Sequence, residues 1–338
     1  MTYWAVLFYI YCCALFKNRF FSATIIIILF ILAAFIAADV SHDYQNYYNG
    51  YYLSDVMYFP EPLSRMIFNG ANRLGLGISV SFVVFAVFSI YLKMKALKNL
   101  SLPLGLFFLI YFGKIYLLLD LTQVRASVSI ALCLLGFDKY IKGKAFLPLL
   151  YIGLAFCFHI SSIMFLVIYF VNKKKPNVVF WMSAMLAGFV FSFINIKSHL
   201  LSLLLLLHAP PNYFTYLDGT SDFTVNPLNA LSIINVFIFL IFCTLKDVFT
   251  DVKMAVAFKL YGISIISFYV FIDFPVLSFR ISEFFLIYQV VLLSGLVSFI
   301  KKEQCWLYTT LMLIFSCIQL YLTYNKAGVI ESYSLSFF

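Results

Sequence analysis

The sequence predicts an all-α protein, a polytopic integral membrane helical bundle of about 12 transmembrane segments. Hydrophobic residues make up 64% of the chain and charged residues only 11%, far below the roughly 25% charged residues of soluble domains. The apolar residues form repeated runs that suit bilayer-spanning helices, and short basic clusters separate the runs. We therefore expect residues 1–338 to form a single transmembrane domain.

Each long apolar run is predicted to be one span, because a helix needs about 20 apolar residues to cross a bilayer. The predicted spans are residues 2–16, 20–38, 76–92, 103–119, 124–141, 145–158, 160–171, 177–196, 229–245, 258–273, 281–299 and 305–323. Two segments between spans, residues 39–77 and 197–227, are long and polar, and we expect both on the outer side of the membrane.

The basic residues predict the orientation of the chain. The first apolar run has no basic residue before it and is followed by Lys17 and Arg19, which is the reverse of a secretory signal peptide, so the N-terminus is expected outside. With this orientation most of the 23 basic residues are expected in cytoplasmic loops, Lys93 and Lys259 among them, as the positive-inside rule requires. The net charge of +9 therefore indicates membrane orientation and not nucleic-acid binding.

The outer segments differ in character. In residues 39–77, Pro62 suits a first helical turn and apolar residues follow at helical spacing, which predicts an amphipathic helix at the outer membrane–water boundary. Residues 197–227 are rich in proline, glycine and tyrosine, which is typical of a lid or a sugar-contacting loop. The tail after Tyr324 is also expected outside.

Residues 145–171 are predicted to bend sharply at Phe158–Ser161. One straight helix would place the lysines before and after this stretch on opposite sides of the membrane, whereas two short spans that meet near His159 return both groups to the cytoplasm. A re-entrant pair of helices that does not cross fully is the alternative, and it leaves His159 at a similar depth.

Arg125 and His159 stand among apolar residues. An ionised side chain at mid-bilayer costs about 2.5–3.5 kcal/mol on insertion scales, so we expect both to face protein, water or a ligand. Arg125 is a candidate phosphate clamp; the alternatives are that it extends to the interface or pairs with Asp120. His159 is a candidate for proton transfer; the alternative is a hydrogen-bonded structural histidine.

Arg280 opens a later span, with Glu283 three residues on. Either the two side chains form an ion pair with each other, or Arg280 is a second arginine for the phosphate that Arg125 would bind. In the second case Glu283 or Asp273 would fix the orientation of Arg280. Lys114 is a weaker candidate, because its long side chain can simply reach the interface.

No metal site and no cofactor are expected. The 7 cysteines lie in apolar runs without a CxxC motif, and the 4 histidines are scattered with no HExxH or DxD motif nearby. Neither a glycine-rich phosphate loop nor a GxSxG motif occurs, which argues against nucleotide hydrolysis and α/β-hydrolase chemistry.

The order of several motifs along the chain resembles that of the EpsG-like, Wzy-type polysaccharide polymerases of bacteria, and the motifs cover most of the chain. They are HDYQNYY with Asp43, Tyr44 and Tyr47; Glu61–Pro62; Gln123 and Arg125; Phe158–His159 with Ser161 and Ser162; and Phe279–Arg280 followed by Phe284–Phe285. One departure is Ala126, because such proteins often have glutamine after this arginine.

This resemblance implies a periplasmic-face glycosyltransferase of the bacterial inner membrane. It would polymerise oligosaccharide repeat units linked to undecaprenyl pyrophosphate into O-antigen or a related surface polysaccharide, without a metal. Besides this lipid-linked glycan and the bilayer, a chain-length regulator in the membrane is a candidate partner.

The resemblance also suggests roles for individual residues. Arg125 and Arg280 would bind pyrophosphate, His159 would transfer a proton or bond a phosphate, and Asp43 or Glu61 would be the acceptor-side base. Tyr44, Tyr47, Gln123, Ser162 and Glu283 are the candidate substrate-binding residues. Further tyrosines of the outer segments either stack on sugars or form an interfacial aromatic belt: Tyr48, Tyr51, Tyr213 and Tyr216.

Three other functions are alternatives. A flippase for lipid-linked oligosaccharides is the main alternative, but it should place charges deep in both leaflets and show two related halves. A sugar acyltransferase would need its histidine near the cytoplasmic side. A structural assembly component would keep its function when Arg125 is replaced.

Overall fold

The computed structural model describes residues 1–16, 18–53, 59–194 and 225–334, together with 197 and 206. Within these residues the protein is all-α, with one isolated bridge between Ser41 and Ile330. The α-helices are α1 (Thr2–Phe16), α2 (Arg19–Ala34), α3 (Tyr44–Leu53), α4 (Pro62–Arg73), α5 (Ile78–Leu100), α6 (Leu104–Gly113), α7 (Val124–Ile141), α8 (Phe146–Phe158), α9 (Val178–Phe191), α10 (Ala230–Thr244), α11 (Val252–Val270), α12 (Pro275–Leu296) and α13 (Cys305–Leu320).

Shorter helical segments link these helices. They are π-helical at Leu117–Thr122 and Tyr321–Lys326, and 3₁₀-helical at Ile160–Phe170, Lys246–Thr250, Val297–Phe299 and Lys302–Gln304. The chain forms two compact units, one of residues 1–172 with 289–338 and the other of residues 173–288. The single domain predicted over the whole chain stays a prediction.

The composition of the helices confirms a multi-pass membrane bundle. Four helical stretches in the described part of the chain are long and apolar enough to cross a bilayer: Ile78–Leu100, Val252–Val270, Pro275–Phe299 and Lys302–Lys326. Further apolar helices are shorter, and many large apolar side chains are exposed, as in Phe8, Val87 and Ile314. Exposed apolar side chains of this kind suit contact with lipid.

Several predicted boundaries are wrong in an informative way. The predicted span 76–92 continues as α5 to Leu100, so Lys93 is not in a loop but is fully buried inside a helix. Lys259, next to the predicted start of the span 258–273, is likewise buried within α11, which begins at Val252. Both errors come from placing a span boundary beside a lysine, although a paired lysine can lie inside a helix.

Helices of the first unit pack with their backbones close together. α7 packs against α5 and α8, while α6 packs against α1 and α13. At Gly105 an added Cβ would lie 2.8 Å from the Cα of Ala14, and at Gly113 it would lie 2.9 Å from the carbonyl oxygen of Ser316. These two glycines therefore allow α6 to approach both neighbours closely, as small residues do in membrane bundles.

The predicted bend near His159 is confirmed. α8 ends at Phe158, His159 is extended with φ −156° and ψ 123°, and a 3₁₀ helix follows. The two arms run back along each other, since the Tyr169 hydroxyl donates to the carbonyl of Ala145 at 2.8 Å. Each arm is about 20 Å long by helix rise, shorter than the roughly 30 Å hydrocarbon core. Because the second arm returns along the first, we call this element the re-entrant hairpin; whether its arms cross the bilayer fully stays a prediction.

α4 confirms the amphipathic helix expected after Pro62. Its Ser64 and Phe68 are buried against α5 and α8, while Met66 is exposed. The Ser64 hydroxyl donates to the carbonyl of Phe158 at 2.7 Å. The first turn of α4 is thereby fastened to the turn of the re-entrant hairpin.

The C-terminal tail crosses the ends of α1 and α2. The amide of Glu331 donates to the carbonyl of Val40 at 3.0 Å, and the Tyr3 hydroxyl donates to the carbonyl of Glu331 at 3.1 Å. A ring nitrogen of His42 lies 3.0 Å from the carbonyl oxygen of Gly328. The start of α1 and residues 328–331 therefore lie at one end of the first unit, which agrees with their predicted placement on the same side of the membrane.

The second unit is organised around α11, which packs against α9 and α10. The rings of Phe239 and Phe258 stack with centroids 4.7 Å apart. The Ser264 hydroxyl donates to the carbonyl of Ser282 at 2.6 Å, which fastens α11 to α12. Tyr213 and Tyr216 of the predicted lid lie outside the described residues.

The close approach of α6 and α1 predicts the effect of a single methyl group. Gly105→Ala should lower the free energy of unfolding by about 1–3 kcal/mol, because the new Cβ meets backbone that cannot move aside easily. Gly153→Ala in α8 is the matched control, since nothing lies within 4 Å of its Cβ position. Thermal unfolding in one detergent measures both variants, and equal shifts would contradict the packing described here.

Candidate functional site

A buried carboxylate joins three separate parts of the first unit. Glu61 is 3% exposed and accepts a hydrogen bond from Arg125 Nη1 to Oε2 at 2.6 Å. Its other oxygen, Oε1, lies 3.2 Å from His159 Nδ1 and accepts from the amide of Ile160 at 3.2 Å. Three donors thus surround one anion.

The position of each side chain follows from a helix boundary. Glu61 is the N-cap of α4, with Pro62 in the first turn. Arg125 is the second residue of α7, and His159 is the extended residue at the turn of the re-entrant hairpin. Because free amides point outward at a helix start, the carboxylate of Glu61 is favoured where α4 and the 3₁₀ helix both begin.

This environment keeps Glu61 ionised. Burial raises the pKa of its carboxyl, but the His159 hydrogen bond, the Arg125 charge and the Ile160 amide lower it more, and the net result is a fall from 4.5 to about 2. An ionised carboxylate only accepts hydrogen bonds, so Nδ1 of His159 must be the donor. In the neutral imidazole, Nε2 is then left with a free lone pair.

Arg125 retains donors beyond the one that Glu61 uses. Its side chain is 20% exposed, and its buried Nε has no hydrogen-bond partner among the described residues. The guanidinium lies over the rings of Tyr47 and Phe59, with its Cζ 5.7 Å and 5.3 Å from their centroids. Such contacts hold the guanidinium by cation–π attraction and leave its edge available for an anion.

An aromatic wall supports this arginine. The rings of Tyr47 and Phe68 stack at 5.6 Å, those of Phe59 and Phe68 at 4.4 Å, and Tyr44 stacks on Phe82 at 5.4 Å. Burial raises the pKa of Tyr47 to about 12, although the charge of Arg125 acts in the opposite direction. The Tyr47 hydroxyl is therefore protonated at neutral pH and can donate a hydrogen bond there.

The structure brings together several of the residues singled out in the sequence. Glu61, Arg125 and His159 are in direct contact, and Tyr47 lies against Arg125. Of the two alternatives for Arg125, pairing with Asp120 is wrong, because Asp120 pairs with Lys93.

The remaining candidates lie around this cluster or in the other unit. Gln123 is the N-cap of α7, and Asp43 lies close enough to Tyr47 to raise its pKa. The amide of Ser162 donates to the carbonyl of His159 at 3.1 Å, while its buried Oγ has no hydrogen-bond partner among the described residues. Arg280, which is exposed, and Glu283 belong to the second unit, and their participation stays a prediction.

Two contributions are not predicted from the sequence. Phe59, two residues before Glu61, packs against Arg125. Lys93 is predicted in a loop, although Ser89 and Lys93 have the spacing of residues on one helix face. Within the described residues no group of three or more His, Cys, Asp or Glu could hold a metal ion, and the cysteines are free thiols.

Comparison with known proteins identifies one family. The sequence model of the EpsG family matches residues 19–336, nearly the whole chain. No curated protein and no solved structure matches.

The lowered pKa of Glu61 predicts how stability depends on pH. The carboxyl has its ordinary pKa of 4.5 when unfolded and about 2 when folded, so its contribution is complete above pH 4.5 and is lost as the pH falls towards 2. Glu61→Gln should therefore be less stable than the wild type at neutral pH, and the difference should shrink on acidification. Thermal unfolding between pH 2 and 7 in an acid-stable detergent measures it. A difference that stays constant across this range would show that Glu61 is not held as an anion.

Proposed function

The chain belongs to the EpsG family, and on that premise we propose that it is a polysaccharide polymerase of the bacterial inner membrane. It joins oligosaccharide repeat units carried on undecaprenyl pyrophosphate into O-antigen or a related surface polysaccharide. The reaction takes place on the periplasmic side and needs no metal. The cluster of Glu61, Arg125 and His159 is the observation that carries this proposal.

Arg125 binds the donor pyrophosphate. As the bond from the sugar to pyrophosphate breaks, negative charge develops on the leaving group, and a fixed cation lowers the energy of that state. A guanidinium suits this task because it stays protonated and offers several donors in one plane. Arg125 retains unused donors next to an accessible edge.

His159 is the base for the acceptor. Its Nε2 takes the proton from a hydroxyl of the incoming repeat unit, and the hydroxyl oxygen bonds to the anomeric carbon of the donor. The bond from that carbon to the pyrophosphate oxygen breaks, and its electron pair leaves with undecaprenyl pyrophosphate. Glu61 orients the ring through Nδ1 and stabilises the imidazolium that forms. Asp43 is the alternative base.

Substitution of Arg125 tests the donor role. Arg125→Ala should reduce polymer formation by about 10²–10³-fold, as loss of one charge-stabilising donor does in other enzymes, and Arg125→Lys should recover only part of the activity. Arg73→Ala is the control, since Arg73 is an exposed arginine at the far end of α4. Polymer length on gels, at equal membrane abundance, is the measurement. Wild-type polymer in Arg125→Ala cells would overturn the proposal.

Deletion of the gene separates polymerase from flippase. Loss of a polymerase should leave single repeat units attached to the surface lipid, because export continues, whereas loss of a flippase should leave none. His159→Ala should reproduce the polymerase pattern, while His42→Ala, which removes the contact of His42 with the tail, should not. A deletion strain without single repeat units would favour the flippase.

A further inference from the structure

We infer that a second buried charge cluster, around Asp120, is a positioning device for Arg125; this inference rests on the proposed function. Asp120 lies in the π-helical segment Leu117–Thr122 and is 3% exposed. Lys93 of α5, fully buried, places Nζ 2.8 Å and 2.9 Å from the two carboxylate oxygens.

Three hydroxyl groups complete this cluster, which we call the Asp120 node. Tyr111 of α6 donates to Oδ2 at 2.6 Å, and Ser127 of α7 and Ser89 of α5 donate to Oδ1 at 2.7 Å and 2.6 Å. Lys93 also donates to both serines. All of these side chains are buried, so the charges are balanced and hydrogen-bonded inside an apolar core, as buried ions require.

The Asp120 node holds the chain on both sides of Arg125. Asp120 lies five residues before the arginine and Ser127 lies two residues after it. Ser89 and Lys93 belong to α5 and Tyr111 belongs to α6. The hydrogen bonds of the node therefore fix the position of the start of α7 relative to both helices.

Register matters here because the π-helical segment precedes α7 directly. A slip of one residue would turn the start of α7 by about 100° and would carry Arg125 away from Glu61 and from the aromatic wall. Direct contacts to Arg125 alone could be satisfied by a long, flexible side chain in more than one backbone register. The node instead selects one register through five polar groups whose geometry must all agree.

A purely stabilising role makes a different prediction, and paired substitutions distinguish the two. Replacing both ions of a buried pair by apolar residues is often neutral for stability, whereas removing one ion is costly. If the node only stabilises the fold, Lys93→Met/Asp120→Leu should leave Arg125 in place. If the node positions Arg125, the double variant should fold while Arg125 becomes displaced.

The experiment uses the full-length protein in nanodiscs. Phenylglyoxal modification of Arg125 is quantified by peptide mass spectrometry, with exposed Arg73 as the internal reference. In the double variant we expect a several-fold rise in Arg125 modification, with Arg73 unchanged. Binding of farnesyl pyrophosphate should weaken about tenfold or more, because small displacements of a binding group have large effects. Wild-type modification of Arg125 in the folded double variant would overturn the inference.

A second variant tests the inference even if the double variant does not fold. Ser127→Ala removes the node contact nearest Arg125 with little change in volume, and it should raise Arg125 modification to a smaller extent; unchanged modification would again overturn the inference. The modification readout needs no ligand. If Arg125→Ala binds farnesyl pyrophosphate like the wild type, the proposed function fails, while the modification result still decides the positioning role.

Discussion

The arrangement of the first unit depends on the need to pair a buried carboxylate. Burial of the Glu61 carboxylate in an apolar interior would cost free energy without its three hydrogen-bond donors. Those donors come from α7 and from the turn of the re-entrant hairpin. Each donor lies where a helix begins or ends, so three backbone interruptions converge on one anion. The same convergence orients the His159 imidazole and leaves an edge of Arg125 open, which is the arrangement that the proposed reaction uses.

The fold class and several boundaries could be predicted because they depend on local apolar runs. The helix 124–141 and the bend at His159 follow directly from composition and from the placement of lysines. Arg125 and His159 are recognisable in the sequence because polar residues are rare in such a chain, and Glu61 because it belongs to a motif that resembles those of a known family. Their mutual contact could not be predicted, since the residues are up to 98 positions apart and no local pattern records which charge meets which.

The Lys93–Asp120 pair shows the limit most clearly. A lysine near the end of an apolar run is usually a loop residue, and that rule placed Lys93 in the cytoplasm. The structure instead buries it against an acid 27 residues later, in a segment whose π-helical geometry no hydropathy pattern reveals. Sequence rules for membrane proteins treat each charge as isolated, so they do not predict two opposite charges that pair inside the bundle.

The tail that crosses α1 and α2 has a topological consequence. Because Glu331 contacts both Val40 and Tyr3, the segment around Glu331 must lie at the same end of the first unit as the start of α1 and the residues that follow α2. A nascent chain that failed to insert one span would deliver its tail to the wrong face, and these contacts could not form. Residues 328 positions apart thus meet only after the spans between them have been inserted.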